Sequence, residues 1–230
     1  MYTLIFNSYL LCFNLITYLY LMKNPVYLII LLALGLLFVS YRWAVSAAAP
    51  DKENVIAEST VSDIMSRTSV RAYSDRAISE SQVDTLLRAA MAAPSAGNKH
   101  PWRFIVIRDR ETLSYIADNF NSMTMMKNAA VAIVVCGDTA ATFPGEGVGY
   151  WIQDTSAATE NLLLAAHAMG LGAVWCGVYP MSDRVRAFSE KLALPAGILP
   201  LNCIAIGYPE GETVPKDKWK PEYIHYEKWN

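Results

Sequence analysis

The sequence predicts an α+β domain over residues 60–230, behind an apolar N-terminal segment. Two patterns predict the domain: β-rich runs at 102–107, 130–135, 173–178 and 202–206, and helical periodicities between them. A third sets the N-terminus apart, since residues 1–22 carry no charge and 26–39 form a continuous apolar run.

That N-terminal segment reads as an export signal. Lys23 supplies a basic start, 26–39 an apolar stretch, and Ser46-Ala47-Ala48-Ala49 a small-residue cleavage site, so Met22 is the expected true start. The competing reading is a membrane anchor over 27–45, close to the ~20 residues that span a bilayer. Either way the protein is expected to be exported, to the periplasm or beyond the cytoplasm, or membrane-anchored. Cys12 lacks the small residues before it that lipidation needs. Residues 1–48 are thus assigned to export or anchoring and 49–59 to a linker, with five of residues 51–58 polar or charged.

From there the elements follow in order. A short helix is expected at 61–67. A longer one covers 79–92, where Val83, Leu86, Leu87, Ala90 and Met91 recur at helical spacing and Ser79 with Gln82 form a capping box. Helices are also expected at 111–119, 152–169 and 183–191. The run at 152–169 is so rich in Ala and Leu that it has little polar face, which predicts burial nearly all round; Gly170 stands where a C′ residue ends it.

Charge and cysteine usage narrow the function. The whole chain carries 19 Lys+Arg against 21 acids; without residues 1–48 the basic count falls to 17, near −4, which argues against nonspecific nucleic-acid binding. Cys136, Cys176 and Cys203 lie in strand-like runs without zinc or disulfide spacing, and His100, His167 and His225 are too scattered to suggest a metal. Gly145, Gly147 and Gly149 do not make a dinucleotide fingerprint. The Met-rich patch Met123, Met125 and Met126 reads as core or flexible lid.

Four segments carry chemistry. The first is Arg67-Thr68-Ser69-Val70-Arg71-Ala72-Tyr73. The second, Ala93-Pro94-Ser95-Ala96-Gly97-Asn98-Lys99-His100-Pro101-Trp102, spends far more residues than a turn needs and mixes small residues with polar hydrogen-bonders. The third runs from Asp154 through Glu160 and Asn161 to Gly170-Leu171-Gly172 and Val174-Trp175-Cys176-Gly177; the fourth is the basic tail with Lys216 and Lys218.

In this order the four segments resemble the flavin-binding nitroreductase family, over about residues 60–230, with His100 where the family usually has Gln. The resemblance implies a mixed sheet flanked by helices and a homodimer with FMN at two interface sites. Arg67, Thr68 and Ser69 would meet the phosphate and ribityl region. Arg71 would reach the N1/O2 edge of the ring, where a cation stabilises the reduced flavin. Pro94, Ser95, Ala96 and Asn98 would wrap the cofactor from the other subunit, and the backbone of Trp175, Cys176 and Gly177 would pass beneath the ring. Lys216 and Lys218 would clamp the phosphate, without the bidentate fork of Arg.

The implied activity is ping-pong transfer from NAD(P)H through flavin N5 to an electron-poor small molecule such as a nitroaromatic or quinone. Relatives that dehalogenate iodotyrosines or fragment flavin are alternatives within the fold. A membrane-tethered or exported electron-transfer module without turnover is the alternative outside it. No side chain is assigned a covalent role: Cys176 follows an apolar run with no flanking cation, and His100 reads as a structural hydrogen-bonder.

Overall fold

The computed structural model describes residues 25–48 and 52–229, and the chain divides into units 1–59 and 60–230. In the first unit, helix α1 spans Pro25–Ala48. The expected export or anchoring role is overturned: among the described residues no helix is long and apolar enough to cross a membrane. Within the stretch 27–45 expected to anchor, the unbroken apolar part ends at 39, about 20 Å of helix against a hydrocarbon core of about 30 Å, and Ser40 and Arg42 then put polar and charged groups on the helix. The readings of Met22, Lys23, Cys12 and Ala49 fall outside the described residues. Helix α2 (Lys52–Ser66) begins well before the expected residue 61, so most of the expected linker, residues 52–59, is helical.

The second unit is organised by an antiparallel sheet. Its strands are β1 (Trp102–Ile107), β2 (Val131–Asp138), β3 (Gly172–Gly177) and β4 (Ile198–Gly207), in the order β1-β2-β4-β3. The parallel pairing comes from a bridge between Ser69 and Ala173. Central strands β2 and β4 are buried on both faces, which is why they read as continuous apolar runs. β4 starts earlier than its sequence suggested, because Pro200 sits where the register slips opposite Cys136, a place where a strand tolerates proline.

Alternate residues of the sheet build two cores. Ile133, Val135, Ile204 and Ile206 pack with helix α3 (Glu80–Met91) and helix α5 (Tyr150–Ala168). On the opposite face Val134, Cys136, Cys203 and Ala205 pack with helix α4 (Arg110–Asn119), helix α6 (Ser182–Lys191) and the turn holding Met123 and Met126. Both methionines are fully buried, so the Met-rich patch belongs to the core.

Helix ends follow their signals. Ser79 and Gln82 make both hydrogen bonds of the capping box. At the end of α5, Gly170 takes φ +70°, its N–H donates to the His167 carbonyl at 2.9 Å, and Leu171 N–H donates to Ala166 at 2.8 Å. Along its length α5 buries Asp154, Thr155 and Thr159 as well as its apolar residues. Thr155 and Thr159 return their hydroxyls to the carbonyls of Trp151 and Thr155, and Asn202 of β4 donates to Thr159 Oγ1 at 3.0 Å. Buried polar side chains paired in this way escape most of the desolvation cost.

Candidate functional site

The segment after α2 is laid against the free edge of β3. Val70 N–H donates to the Ala173 carbonyl at 3.0 Å, and the buried Tyr73 hydroxyl donates to Val70 O at 2.6 Å or Ala205 O at 3.1 Å. Burial pushes the Tyr73 phenol well above its ordinary value, with the neighbouring Cys176 adding to the rise and Arg71 opposing it. Two glycines make room. A Cβ on Gly172 would stand 2.7 Å from Val70, and one on Gly207, its register partner, 2.7 Å from the Tyr73 ring.

This anchoring fixes where the polar side chains go. Arg67, Thr68, Ser69, Arg71, Lys216 and Lys218 line one cavity of about 200 Å³. Four of its six lining residues are cationic and none is acidic. Arg67 is held from outside, its Nε 3.3 Å from Glu160 Oε1 on α5. A wider cavity of about 520 Å³ shares Arg67, Lys216 and Lys218, adds apolar walls from Ile64, Met65, Pro215 and Trp219, and includes Asp217.

Beside the segment, Trp175 is partly exposed and Cys176 buried on β3, and a Cβ on Gly177 would meet nothing within 4 Å. Arg184 Nη1 donates to the Gly177 carbonyl at 2.7 Å. Burial raises the Cys176 thiol to about 11, although Arg71 and Arg184 both pull it down. The sequence reading that no cation flanks Cys176 is thereby corrected, since Arg71, 105 residues before it, and Arg184, eight residues after it, both act on the thiol. Desolvation still wins, and the thiol stays protonated at neutral pH.

The loop lies elsewhere in the chain. Pro94 and Asn98 are exposed, Ser95 and Ala96 half-buried, and residues Ala96–Asn98 form a single 3₁₀ turn with Gly97 and Asn98 both at φ +55°. His100 Nε2 pairs with Asn98 Oδ1 at 2.8 Å and its backbone N–H donates to Ser95 Oγ at 3.1 Å, so the histidine braces the loop. Ala96 and Gly97 line a separate open cleft of about 630 Å³ with Phe143, Pro144, Gly147 and Tyr150. Within one chain, then, the thirteen residues proposed from sequence fall into a basic cluster, a stretch of β3 and a detached loop. Three contributors were not assigned roles from sequence: Asp154, whose carboxylate accepts from Ala96 N–H at 2.8 Å; Arg184; and the glycine pair Gly172 and Gly207. The first lay inside a quoted motif, but its hydrogen bond joins residues 58 apart.

Comparison with known proteins assigns the class. The Nitroreductase family profile matches residues 64–125 and 118–208, and the chain belongs to this family. It is 46% identical over 170 residues to an inferred NADH dehydrogenase/NAD(P)H nitroreductase of Archaeoglobus fulgidus, covering 72% of this chain and 96% of that protein. A crystal structure of a similarly described protein from Parabacteroides distasonis superimposes with TM-score 0.71 at 45% identity, covering 74% of this chain and 98% of that one. An inferred nitroreductase from Desulfovibrio desulfuricans, crystallised in complex with FMN, gives TM-score 0.64 at 32% identity, covering 74% and 98%.

Proposed function

We propose that the chain is an FMN-dependent NAD(P)H oxidoreductase of nitroreductase type, reducing electron-poor small molecules such as nitroaromatics or quinones. The observation that carries this reading is the all-cationic cavity of Arg67, Arg71, Lys216 and Lys218, with the hydroxyl residues Thr68 and Ser69 between. A dianionic phosphate needs charge-assisted donors, and this set supplies four cations with no acid in the lining, Glu160 reaching Arg67 only from outside the cavity. Relatives in the family include FMN reductases of Bacillus subtilis, at 22% identity, and the FMN complex noted above.

FMN, when bound, would supply the redox chemistry between NAD(P)H and the acceptor. The chain's own residues bind and orient. Arg67, Lys216 and Lys218 would neutralise the phosphate, Ser69 would hydrogen-bond in the phosphate and ribityl region, and Arg71 would place positive charge toward the ring. Trp175, Cys176 and Gly177 would offer backbone to it, since the side of Gly177 is open. Pro94, Ser95, Ala96 and Asn98 would complete the site of a second copy, in which case the working unit would be a homodimer and residues 60–230 the flavin domain.

Titration of purified protein with FMN, followed by NADH and NADPH with menadione as acceptor, tests the reading. A yellow protein with one FMN per chain and NAD(P)H turnover is the expected result. Protein that leaves FMN fluorescence unchanged overturns it. Sedimentation of the FMN-bound form should give a dimer, because a ligand shared between subunits stabilises their assembly.

A further inference from the structure

Asp154 is the least comfortable residue in the core. It is 4% exposed on a helix otherwise buried through alanine, leucine and threonine, and its carboxyl group brings two oxygens with several acceptor positions to satisfy. It uses one. Oδ1 accepts from the backbone N–H of Ala96 at 2.8 Å, while Oδ2 is buried with no hydrogen-bond partner. A half-satisfied carboxylate is a costly way to pack a helix, and an apolar side chain would serve the core better.

The turn it grips is held from a second direction. Gly97 sits at φ +55°, and a Cβ there would come within 2.6 Å of Phe143 Cζ; on the far side a Cβ on Gly147 would come within 2.6 Å of Phe143 Cβ. Phe143 is therefore wedged between its own loop and the 96–98 turn. Lys99 Nζ, just beyond the turn, lies 5.3 Å from the centre of the same ring.

We propose that Asp154 is a positioning residue, which with the Phe143 ring clamps the Ala96–Asn98 turn in the conformation it presents to the flavin site of a second subunit. The clamp's use, though not its existence, rests on the flavin reading above. Asp154 fixes the position of Ala96 by accepting its backbone N–H, Phe143 limits how far Gly97 can move, and the side chains of Ser95 and Asn98 are carried with them. The unmet Oδ2 is the remaining cost of placing a carboxylate there.

Hydrogen exchange on the full chain without added flavin tests the clamp directly. In Asp154→Ala the amides of residues 96–98 should exchange about tenfold faster or more, with the middle of α5 unchanged. Asp154→Asn, which keeps an acceptor for Ala96 N–H, should stay within about threefold of wild type. Gly97→Ala, which drives a methyl into Phe143, should loosen the same amides and covers the case in which Asp154→Ala does not fold. Unchanged exchange in Asp154→Ala or, should that variant not fold, in Gly97→Ala, or an Asn variant as loose as the Ala variant, overturns the proposal. In parallel, FMN affinity should fall about tenfold in Asp154→Ala and be restored in Asp154→Asn. If wild-type protein binds no FMN, the flavin reading fails while the exchange result still decides the clamp.

Discussion

The basic pocket and the 94–98 loop are built by opposite means. The pocket's segment is laid on a sheet edge by backbone bonds to β3, and its four cations converge within a single chain. The loop is braced by side chains, His100 and Asp154, and opens onto a cleft of its own. The contrast teaches where each half keeps its specificity. In the flavin reading proposed above, phosphate recognition would need charge held close, which a rigid edge provides, and ring recognition across a subunit boundary would need a turn that keeps its shape before the partner arrives.

The largest expected effect strikes the edge. Gly172→Val would put branched carbons where a Cβ alone stands 2.7 Å from Val70, so the 69–73 segment must lift or the strand must bend. Overpacking of this kind costs roughly 1–3 kcal/mol, and here it also disperses the cations. Thermal melting should drop and FMN binding should be lost together. If binding survives at wild-type strength, the pocket does not depend on the sheet edge and the contrast with the loop collapses.

A smaller effect separates the cations. Arg67→Ala should weaken FMN binding about 10- to 150-fold, the loss of one or more charge-assisted hydrogen bonds at roughly 1.5–3 kcal/mol, readable by fluorescence titration. Dissociation of the dimer should accompany it at low protein concentration. An unchanged affinity would move the phosphate away from this cavity.

Arg71→Ala should act on the chemistry more than on affinity. Losing a cation that favours the reduced state by a similar energy would lower the two-electron midpoint potential by about 30–65 mV, measured by dye equilibration. A second readout is independent of flavin. Arg71 is the first of two arginines that pull down the Cys176 thiol, so its removal should raise that thiol above about 11 and push the onset of alkylation to higher pH. A potential that falls with Arg67→Ala and not with Arg71→Ala would exchange the two roles.

Much of the fold was legible because its signals are local. The capping box of Ser79 and Gln82, the period of Val83, Leu86 and Ala90, and the alanine-rich α5 each declare themselves within a few turns of chain. The basic residues were legible as a motif, since segment order carried them. What escaped was approach between distant parts. Nothing local in Gly172 or Gly207 announces that another segment lies on them, and nothing in Asp154 announces Ala96. The same blindness hid Arg71 from Cys176, 105 residues away; the N-terminal segment misled differently, through an apolar composition that suggested export or anchoring.

The smallest expected effect tests how the edge-built half is tuned. Glu160 on α5 reaches Arg67 at 3.3 Å, with its own side chain half exposed and that of Arg67 only 16% exposed. A pair of this kind is worth roughly 0.2–1 kcal/mol, so Glu160→Gln should move the melting temperature by no more than a few degrees. Its effect on FMN has two opposing parts. Removing the carboxylate frees Arg67 for the phosphate and lowers local negative charge, yet it also releases the guanidinium from a fixed direction. With Ser69, Lys216 and Lys218 already around the cavity, the electrostatic part should win, leaving affinity equal or up to about threefold tighter, with a steeper loss as salt is raised. Fluorescence titration of FMN at low and high ionic strength reads both. A loss approaching that of Arg67→Ala would instead show that α5 aims Arg67, and that the basic pocket, like the loop, depends on a carboxylate of that helix for its geometry.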